Sequence, residues 1–386
     1  MNVLIAIDKF KGSLSAVEAA HAIQAGLPSD SQADLCPIAD GGEGFAETMM
    51  TALGGKWINV DVHDALGRPI SARYALSPEG VAIMEMAAAS GFELIAAEDR
   101  DILNSSTFGT GTLIRHAVEI SHARKILIGI GGSATNDGGS GMAKALGVRF
   151  LDKNGENLAS LPADLLNLEK IDSGARIALP PIEVACDVDN PLLGPSGATT
   201  IYGPQKGAQP DLISELEKRL ARLVEVSQAQ DHAAHPGAGA AGGLGFGLLH
   251  FCQATLRPGF DIVADAVQLT ERLKICDLVV TGEGSMDAQT LFGKGPAGIA
   301  RLAQAAGKPC LALAGHISPE VKAAKLFTAH AALSDLDLPL SELMARADEL
   351  LTKRTRDAFT TEDLKLCHEN PKLSTTQKIT PINKPK

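Results

Sequence analysis

Short apolar runs alternate with glycine-rich polar turns and helical-period stretches along most of the chain. That layout is the signature of a parallel sheet with crossover helices. Val3-Leu4-Ile5-Ala6-Ile7 reads as a buried strand, followed by Asp8-Lys9-Phe10-Lys11-Gly12-Ser13 and a helix through Val17–Ile23 that Ser13 or Ser15 can cap. Leu35–Ala39 repeats the layout, with Asp40-Gly41-Gly42-Glu43-Gly44 past its end and a helical stretch over Phe45–Leu53. Trp57–Val62 then alternates like a half-buried strand, and Arg73–Leu76 and Val81–Met86 can pair as antiparallel neighbours. The pattern has changed from βα to ββ near residue 70, and βα resumes near 275 with Cys276–Thr281, a helix from about Gly295 to Ala306 and a strand over Cys310–Gly315. The expected fold is therefore α/β in two domains. A parallel-sheet domain is built from 1–70 and 275–355, and a second α/β domain, 71–274, is inserted into it. Leu161–Leu179 carries mixed signals and predicts no element, and 356–386 reads as a flexible or atypical tail rich in Lys, Thr, Asn and Pro.

One stretch organises the rest. Lys125–Gly141, KILIGIGGSATNDGGSG, opens with an apolar run and turns abruptly into glycine. Ser133, Thr135 and Asn136 supply small polar groups, and Met142–Leu146 looks helical. A strand, a glycine turn and a helix start together make an anion site, because unpaired N–H groups and the helix dipole face the loop. We read it as a phosphate-binding loop.

Composition narrows the ligand. The 386 residues are 45% apolar, enough to bury two cores, and carry a net charge of −11. That charge excludes a broad nucleic-acid footprint, so an anionic ligand must be met locally by loop N–H groups, a few Lys or Arg and a divalent cation. Aromatics are only 4%, which argues against base-stacking platforms. The six cysteines form no C-x-x-C pair and read as reduced core thiols, no apolar stretch is long enough for a membrane span, and no basic leader precedes the first strand. A soluble, cytoplasmic protein acting on a small molecule is expected.

Carboxylates sit where open α/β sheets bind ligands, just past strand ends. Asp187 and Asp189 follow Ile182–Cys186 at i and i+2, and Gly282-Glu283-Gly284-Ser285-Met286-Asp287 follows Cys276–Thr281. Carboxylate oxygens suit Mg²⁺. Lys206 lies between glycines in Tyr202-Gly203-Pro204-Gln205-Lys206-Gly207. Gly129-x-Gly131-x-x-Ala134 matches the dinucleotide fingerprint, with Asp152 about 20 residues on, which makes an NAD(P)-dependent oxidoreductase of a small hydroxy acid the alternative. A non-catalytic nucleotide-binding sensor is a second. No Walker A motif and no protein-kinase catalytic loop occurs. Several glycine loops, strand-end acids and isolated lysines still suit phosphoryl transfer, which needs positioning and charge neutralisation more than covalent help.

In these residues the chain resembles the bacterial glycerate kinase family. The resemblance is carried by Asp40–Gly44, Glu85-Met86-Ala87-Ala88-Ala89-Ser90-Gly91, Gly129–Gly139, Ala185–Pro191, Gly203–Ala208, Pro236–Gly243 and Thr281–Gly284, in the family's order and spread from the first strand to about residue 350. The tail beyond about 355 does not look like the family's helical ending. The resemblance implies two α/β domains, one flavodoxin-like and one inserted, with the active site in the cleft. It also implies ATP and Mg²⁺, with 2-phosphoglycerate as the favoured product. On this reading Lys11, with Ser13, holds the carboxylate of glycerate, and Asp187 or Asp40 orients or deprotonates the attacking hydroxyl. Gly131, Gly132, Ser133 and Thr135 cradle phosphates, Lys9 and Lys206 neutralise charge on the transferred group, and Asp189, Glu283 or Asp287 holds Mg²⁺.

Overall fold

The computed structural model describes residues 1–39, 42, 44–292 and 295–360. The chain divides into two compact units, Met1–Ala39 with 263 onward, and Asp40–Ile262. In the first unit, strand β1 (Asn2–Ile7) is buried at every position after Asn2, as a strand covered on both faces must be. The helix Ala16–Gly26 follows it. Ser15, rather than Ser13, is the N-cap, with Glu18 closing a reciprocal capping box. Strand β2 (Gln32–Leu35) lies three residues earlier than the pattern predicts. The expected segment still tracks β1, since the N–H groups of Cys36 and Ile38 donate to Ile5 and Ile7 carbonyls, but Pro37 between them ends the regular ladder.

The second unit is built on a six-stranded sheet. Its antiparallel part is β3 (Lys56–His63), β4 (Pro69–Leu76) and β5 (Val81–Glu85). Strand β6 (Lys125–Gly129) runs parallel to β5. A separate antiparallel pair, β7 (Arg149–Leu151) and β8 (Lys170–Asp172), flanks a 3₁₀ turn at Ala163–Asn167. The 3₁₀ turn and β8 fall in the stretch 161–179, for which the pattern predicted no element. Parallel strands β9 (Ile182–Ala185) and β10 (Thr255–Arg257) complete the sheet in the order β10-β9-β6-β5-β4-β3. The β3–β4 hairpin therefore belongs to this sheet, and the first unit gives way at residue 39/40, not near 70. It resumes at 263, within the helix Gly259–Ala266, not near 275. Alternation along β3 shows that one face is buried but cannot say against which sheet.

The first unit resumes with β11 (Leu278–Gly282), β12 (Ser285–Met286), β13 (Cys310–Ala314), β14 (His316–Ile317) and β15 (Ala329–Ala332). Its main sheet is all parallel, in the order β15-β13-β11-β1-β2. Counted within the unit this is the flavodoxin order 2-1-3-4-5, with the switch point between β1 and β11. Strand β12 pairs in parallel with β14 just beyond the carboxyl edge.

The chain stays helical to Ala358, beyond the point where the tail was expected to begin. Helix Ala347–Ala358 buries Leu350, Leu351, Thr355 and Ala358 against the first unit's core. Residues 361–386 lie outside the described residues. The five described cysteines are free thiols, and among the described residues no helix is long and apolar enough to cross a membrane.

The last helix is seated through Gly26. A Cβ there would overlap the Thr352 carbonyl and lie 2.6 Å from the Thr355 Cβ, while the Thr352 hydroxyl donates to the Ala22 carbonyl at 2.8 Å. Gly26→Val therefore wedges the two helices apart. We expect a loss of about 3 kcal/mol, read as a lower urea midpoint, whereas Gly67→Ala meets no atom within 4 Å of its Cβ position and bears only the strain of a φ of +80°, about 1–2 kcal/mol.

Candidate active site

The second unit gathers most of the expected phosphate-binding residues at one place. At the carboxyl ends of β6 and β9, a cavity of about 280 Å³ is lined by Gly131, Gly132, Ser133, Asp187 and Lys206, with Phe92 and Tyr202 as its aromatic walls. Gly42, from the Asp40–Gly44 stretch, also lines it. Asp40 itself lies outside the described residues.

How the glycine loop is held differs from the sequence expectation. The loop from Ile130 leads to a helix at Ser140–Ala145 whose N-terminus was expected to face an anion. The anion there is the chain's own. The carboxylate of Asp137, fully buried, accepts from the N–H groups of Thr107, Gly139 and Gly141 and from the Thr107 hydroxyl. Burial nonetheless holds this carboxyl above the ordinary carboxylate range, the four hydrogen bonds opposing it. The latter half of the loop is thus a packing device. The segment Gly242–Gly247 lies against it backbone to backbone. Gly242 has φ +66°, and a Cβ there would overlap the Thr135 carbonyl; a Cβ on Gly139 would sit 2.8 Å from the Gly247 Cα. Nothing larger than glycine fits either position.

The ligand-facing part is therefore Gly131-Gly132-Ser133. Thr135 is fully buried, is not among the cavity's lining, and donates its hydroxyl to the Ala241 carbonyl at 3.4 Å. Its contribution to the site is its carbonyl, which accepts from the Lys206 ammonium at 2.8 Å, while the Ser133 hydroxyl accepts from the same ammonium at 2.6 Å. Lys206 is only 4% exposed. Burial pushes its ammonium down from 10.5 to about 7, with Asp137 pushing partly back. Asp187 is exposed at the cavity, and one of its oxygens accepts from the N–H of Gly259 at 3.0 Å, at the start of the helix Gly259–Ala266. Asp189 is exposed and outside the lining. The Tyr202 hydroxyl donates to the Asn190 side chain at 2.6 Å, fixing that wall. Sequence reasoning missed Asp137 as the group that shapes the loop; its signal was a carboxylate directly before the glycine pair that starts a helix.

In the first unit, the other expected residues lie at the carboxyl end of the sheet, around its switch point. The N–H of Asp8 donates to the Gly282 carbonyl at 2.9 Å and that of Gly284 to the Lys9 carbonyl at 3.2 Å. The turns after β1 and β11 are thereby tied together. Lys9 is half-buried and Lys11 exposed. Ser13 closes a turn, its hydroxyl donating to the Phe10 carbonyl at 3.0 Å. Glu283 accepts from the Thr290 hydroxyl at 2.8 Å, and Asp287 accepts from the N–H groups of Gln289 and Thr290 at the start of the helix Ala288–Phe292.

Among the described residues no group of three or more His, Cys, Asp or Glu is arranged to hold a metal ion. Asp189, Glu283 and Asp287 do not form a ready cage, and the last two already serve local donors. Such a donor set fits a Mg²⁺ that keeps its waters and phosphate ligands and takes one or two carboxylates. The dinucleotide alternative fares worse. Asp152 turns its carboxylate onto the N–H groups of Asn154 and Glu156 in its own turn, and β7 lies outside the main sheet.

A glycine loop, a buried lysine and a strand-end carboxylate in one cavity, on an α/β scaffold, belong to the phosphotransferase class. Comparison with known proteins makes the class particular. A model of the Glycerate kinase family matches residues 3–362, and the chain belongs to that family. It is 42% identical to a glycerate kinase of Halalkalibacterium halodurans, covering 92% of this chain and 96% of that one. It is 45% identical to the glycerate 2-kinase of Escherichia coli K12, covering 83% and 87%. A Salmonella typhimurium LT2 protein assigned as a glycerate kinase 2 superposes with a TM-score of 0.83 at 40% identity, over 92% of this chain and 96% of that one. The family match runs through the last helix, in line with the described fold and against the expected departure near 355.

Lys206 gives the site a pH signature. Its proton leaves at about pH 7 in the folded chain and at about 10.5 in the unfolded one, so between these values the unfolded chain binds more protons and stability rises with pH. The contribution is complete above the unfolded value and lost as pH falls through 7. We expect the urea midpoint of the native chain, relative to Lys206→Met, to climb between pH 7 and 9, and a difference that stays flat would refute the burial effect.

Proposed function

We propose that the chain transfers the terminal phosphoryl group of ATP to a hydroxyl of glycerate, with 2-phosphoglycerate as the favoured product. The observation that carries this is the single cavity in which Gly131, Gly132 and Ser133, the buried Lys206 ammonium and the Asp187 carboxylate meet. The first group suits phosphate oxygens, the ammonium offsets their charge, and the carboxylate suits a hydroxyl that must lose its proton. Family membership supports glycerate as acceptor, and the name of the Escherichia coli relative supports the 2-hydroxyl.

In the proposed reaction the glycerate oxygen attacks the terminal phosphorus in line. A new O–P bond forms, the bond to the bridging oxygen breaks, and ADP leaves. Asp187 accepts the hydroxyl proton, with Asp40 as the alternative base. The Ser133 hydroxyl already accepts from Lys206, so its own hydrogen points outward as a donor to phosphate. Glycines 131 and 132 let the phosphate approach the backbone. Thr135 acts through its carbonyl, by fixing Lys206. Lys206 and Lys9 offset charge on the transferred group, and Lys11 with Ser13 serves the carboxylate of glycerate. Asp189, Glu283 or Asp287 would hold a Mg²⁺ bound with ATP, and the ion would supply further charge neutralisation.

The test is ADP release, followed with glycerate, lactate, tartronate and glycerol in turn, and phosphorus NMR of the product. Turnover with glycerate and a 2-phosphoglycerate signal are expected; ADP release with none of the four would sink the proposal. Asp187→Asn keeps an acceptor for the Gly259 N–H but cannot take a proton, so kcat should fall about 100-fold or more with the unfolding midpoint preserved. Near-normal turnover would move the base to Asp40.

A further inference from the structure

We infer that Asn190 is a positioning residue that latches the Tyr202 wall of the second unit's cavity for ATP, a role that deepens the reading above and rests on it. Asn190 stands three residues after Asp187, on the turn that leaves the carboxyl end of β9. Tyr202 ends the helix Ala198–Tyr202, and the 3₁₀ turn Pro204–Lys206 follows almost at once. Tyr202, Gln205 and Lys206 line the cavity from this second segment, while Cys186, Asp187 and Val188 line it from the strand end. The side chain of Asn190 joins the two segments: its oxygen accepts from the Tyr202 hydroxyl at 2.6 Å. Asn190 is not itself among the cavity's lining, so it acts through the tyrosine.

The latch is itself anchored. The Asn190 amide nitrogen donates to the Ser196 carbonyl at 2.8 Å, and the loop carrying Ser196 is held by Glu217, which accepts from the Gly194 N–H at 2.5 Å. The main-chain carbonyl of Asn190 accepts from the N–H of Gly239 at 2.9 Å, just ahead of the glycines that pack against Thr135. A carboxamide both donates and accepts, as the Ser196 carbonyl and the Tyr202 hydroxyl together require. Burial holds the Tyr202 phenol above its ordinary range, so the hydroxyl keeps its proton and remains the donor. A phenylalanine would serve equally as an apolar wall, so the hydroxyl's use is the tether. Tyr202 and Lys206 are four residues apart on one short segment, and the N–H of Lys206 donates to the Gly203 carbonyl at 3.0 Å. Fixing the ring therefore also steadies the approach of the ammonium to the glycine loop, where the phosphates of ATP are assigned.

The experiment compares Tyr202→Phe, Asn190→Ala and the double variant with the native chain, measuring KM for ATP and for glycerate separately and the urea midpoint. Tyr202→Phe keeps the ring and removes only the tether. KM for ATP should rise about threefold or more in each single variant, the scale of one lost hydrogen bond. The double variant should be no worse than Asn190→Ala, because both changes remove the same contact. KM for glycerate should stay within about twofold, since Lys11 and Ser13, assigned to its carboxylate, are not residues that Asn190 touches. A residue placed only to hold structure would lower the midpoint and leave KM for ATP unmoved. A smaller rise for ATP in either single variant, equal rises in both KM values, or single effects that multiply in the double variant would overturn the inference. Should Asn190→Ala not fold, Tyr202→Phe decides alone on the same threshold. If the native chain releases no ADP with glycerate, the parent reading fails, and calorimetric titration of ATP into Tyr202→Phe decides on the latch: binding weakened about threefold or more upholds it, and any smaller change counts against it.

Discussion

The second unit depends on two backbones approaching more closely than side chains allow. The segment 135–139 and the segment 242–247 meet glycine to glycine, with the N–H of Gly138 donating to the Gly242 carbonyl at 3.1 Å. Everything useful in the cavity follows from that contact. It fixes the Thr135 carbonyl, the Thr135 carbonyl and the Ser133 hydroxyl fix Lys206, and Lys206 faces the space above Gly131 and Gly132. The buried Asp137 carboxylate completes the clamp by tying the loop to Thr107 on one side and to Gly139 and Gly141 on the other. A carboxylate with four donors is one of the few ways to hold a charge away from water. Here it replaces the external anion that a strand–glycine–helix sequence ordinarily invites.

The first unit solves a similar problem with hydrogen bonds. In the order 2-1-3-4-5 the connections leave β1 and β11 in opposite directions, which opens a crevice at their carboxyl ends. Across that crevice the turns are linked in series: Asp8 to Gly282, Gly284 to Lys9, Gly315 to Glu283 and Ser334 to Gly315. Each link uses backbone groups alone. The side chains of Lys9, Lys11 and Glu283 are therefore carried on turns whose shape does not depend on what those side chains bind.

Much of this was legible in the chain, and the failures have a common cause. Strands β1, β6, β11 and β13 are apolar on both faces, so their runs identify them without reference to partners. The parallel-sheet class followed from glycine turns at their ends. What failed were details that needed a distant partner. The unit boundary was misplaced because the alternation of β3 fits any sheet edge, and only its pairing with β4 and β5 decides. The last helix was missed because its surface is rich in Lys, Arg and Asp, while its burial depends on Gly26 more than 300 residues earlier in the chain. Thr135 was expected to offer its hydroxyl, yet backbone direction turns its carbonyl to the lysine instead. Asp137 looked like turn punctuation because Thr107, thirty residues before it, is invisible to local pattern.

The net charge of −11 sharpens the meaning of the buried lysine in this cavity. An acidic protein repels a polyanionic ligand at long range, so attraction must be built at short range, where screening and overall charge matter less. Short-range attraction is strongest when the cation is already stripped of water, and stripping it costs the folded chain. Lys206 bears that cost by being buried on a hydroxyl and a carbonyl rather than a carboxylate. Asp137 offsets the charge only in part, and a carboxylate bonded directly to the ammonium would offset it further. A carboxylate there would also occupy the position an oxyanion needs. An incoming phosphate or carboxylate is what offsets the remainder of that charge.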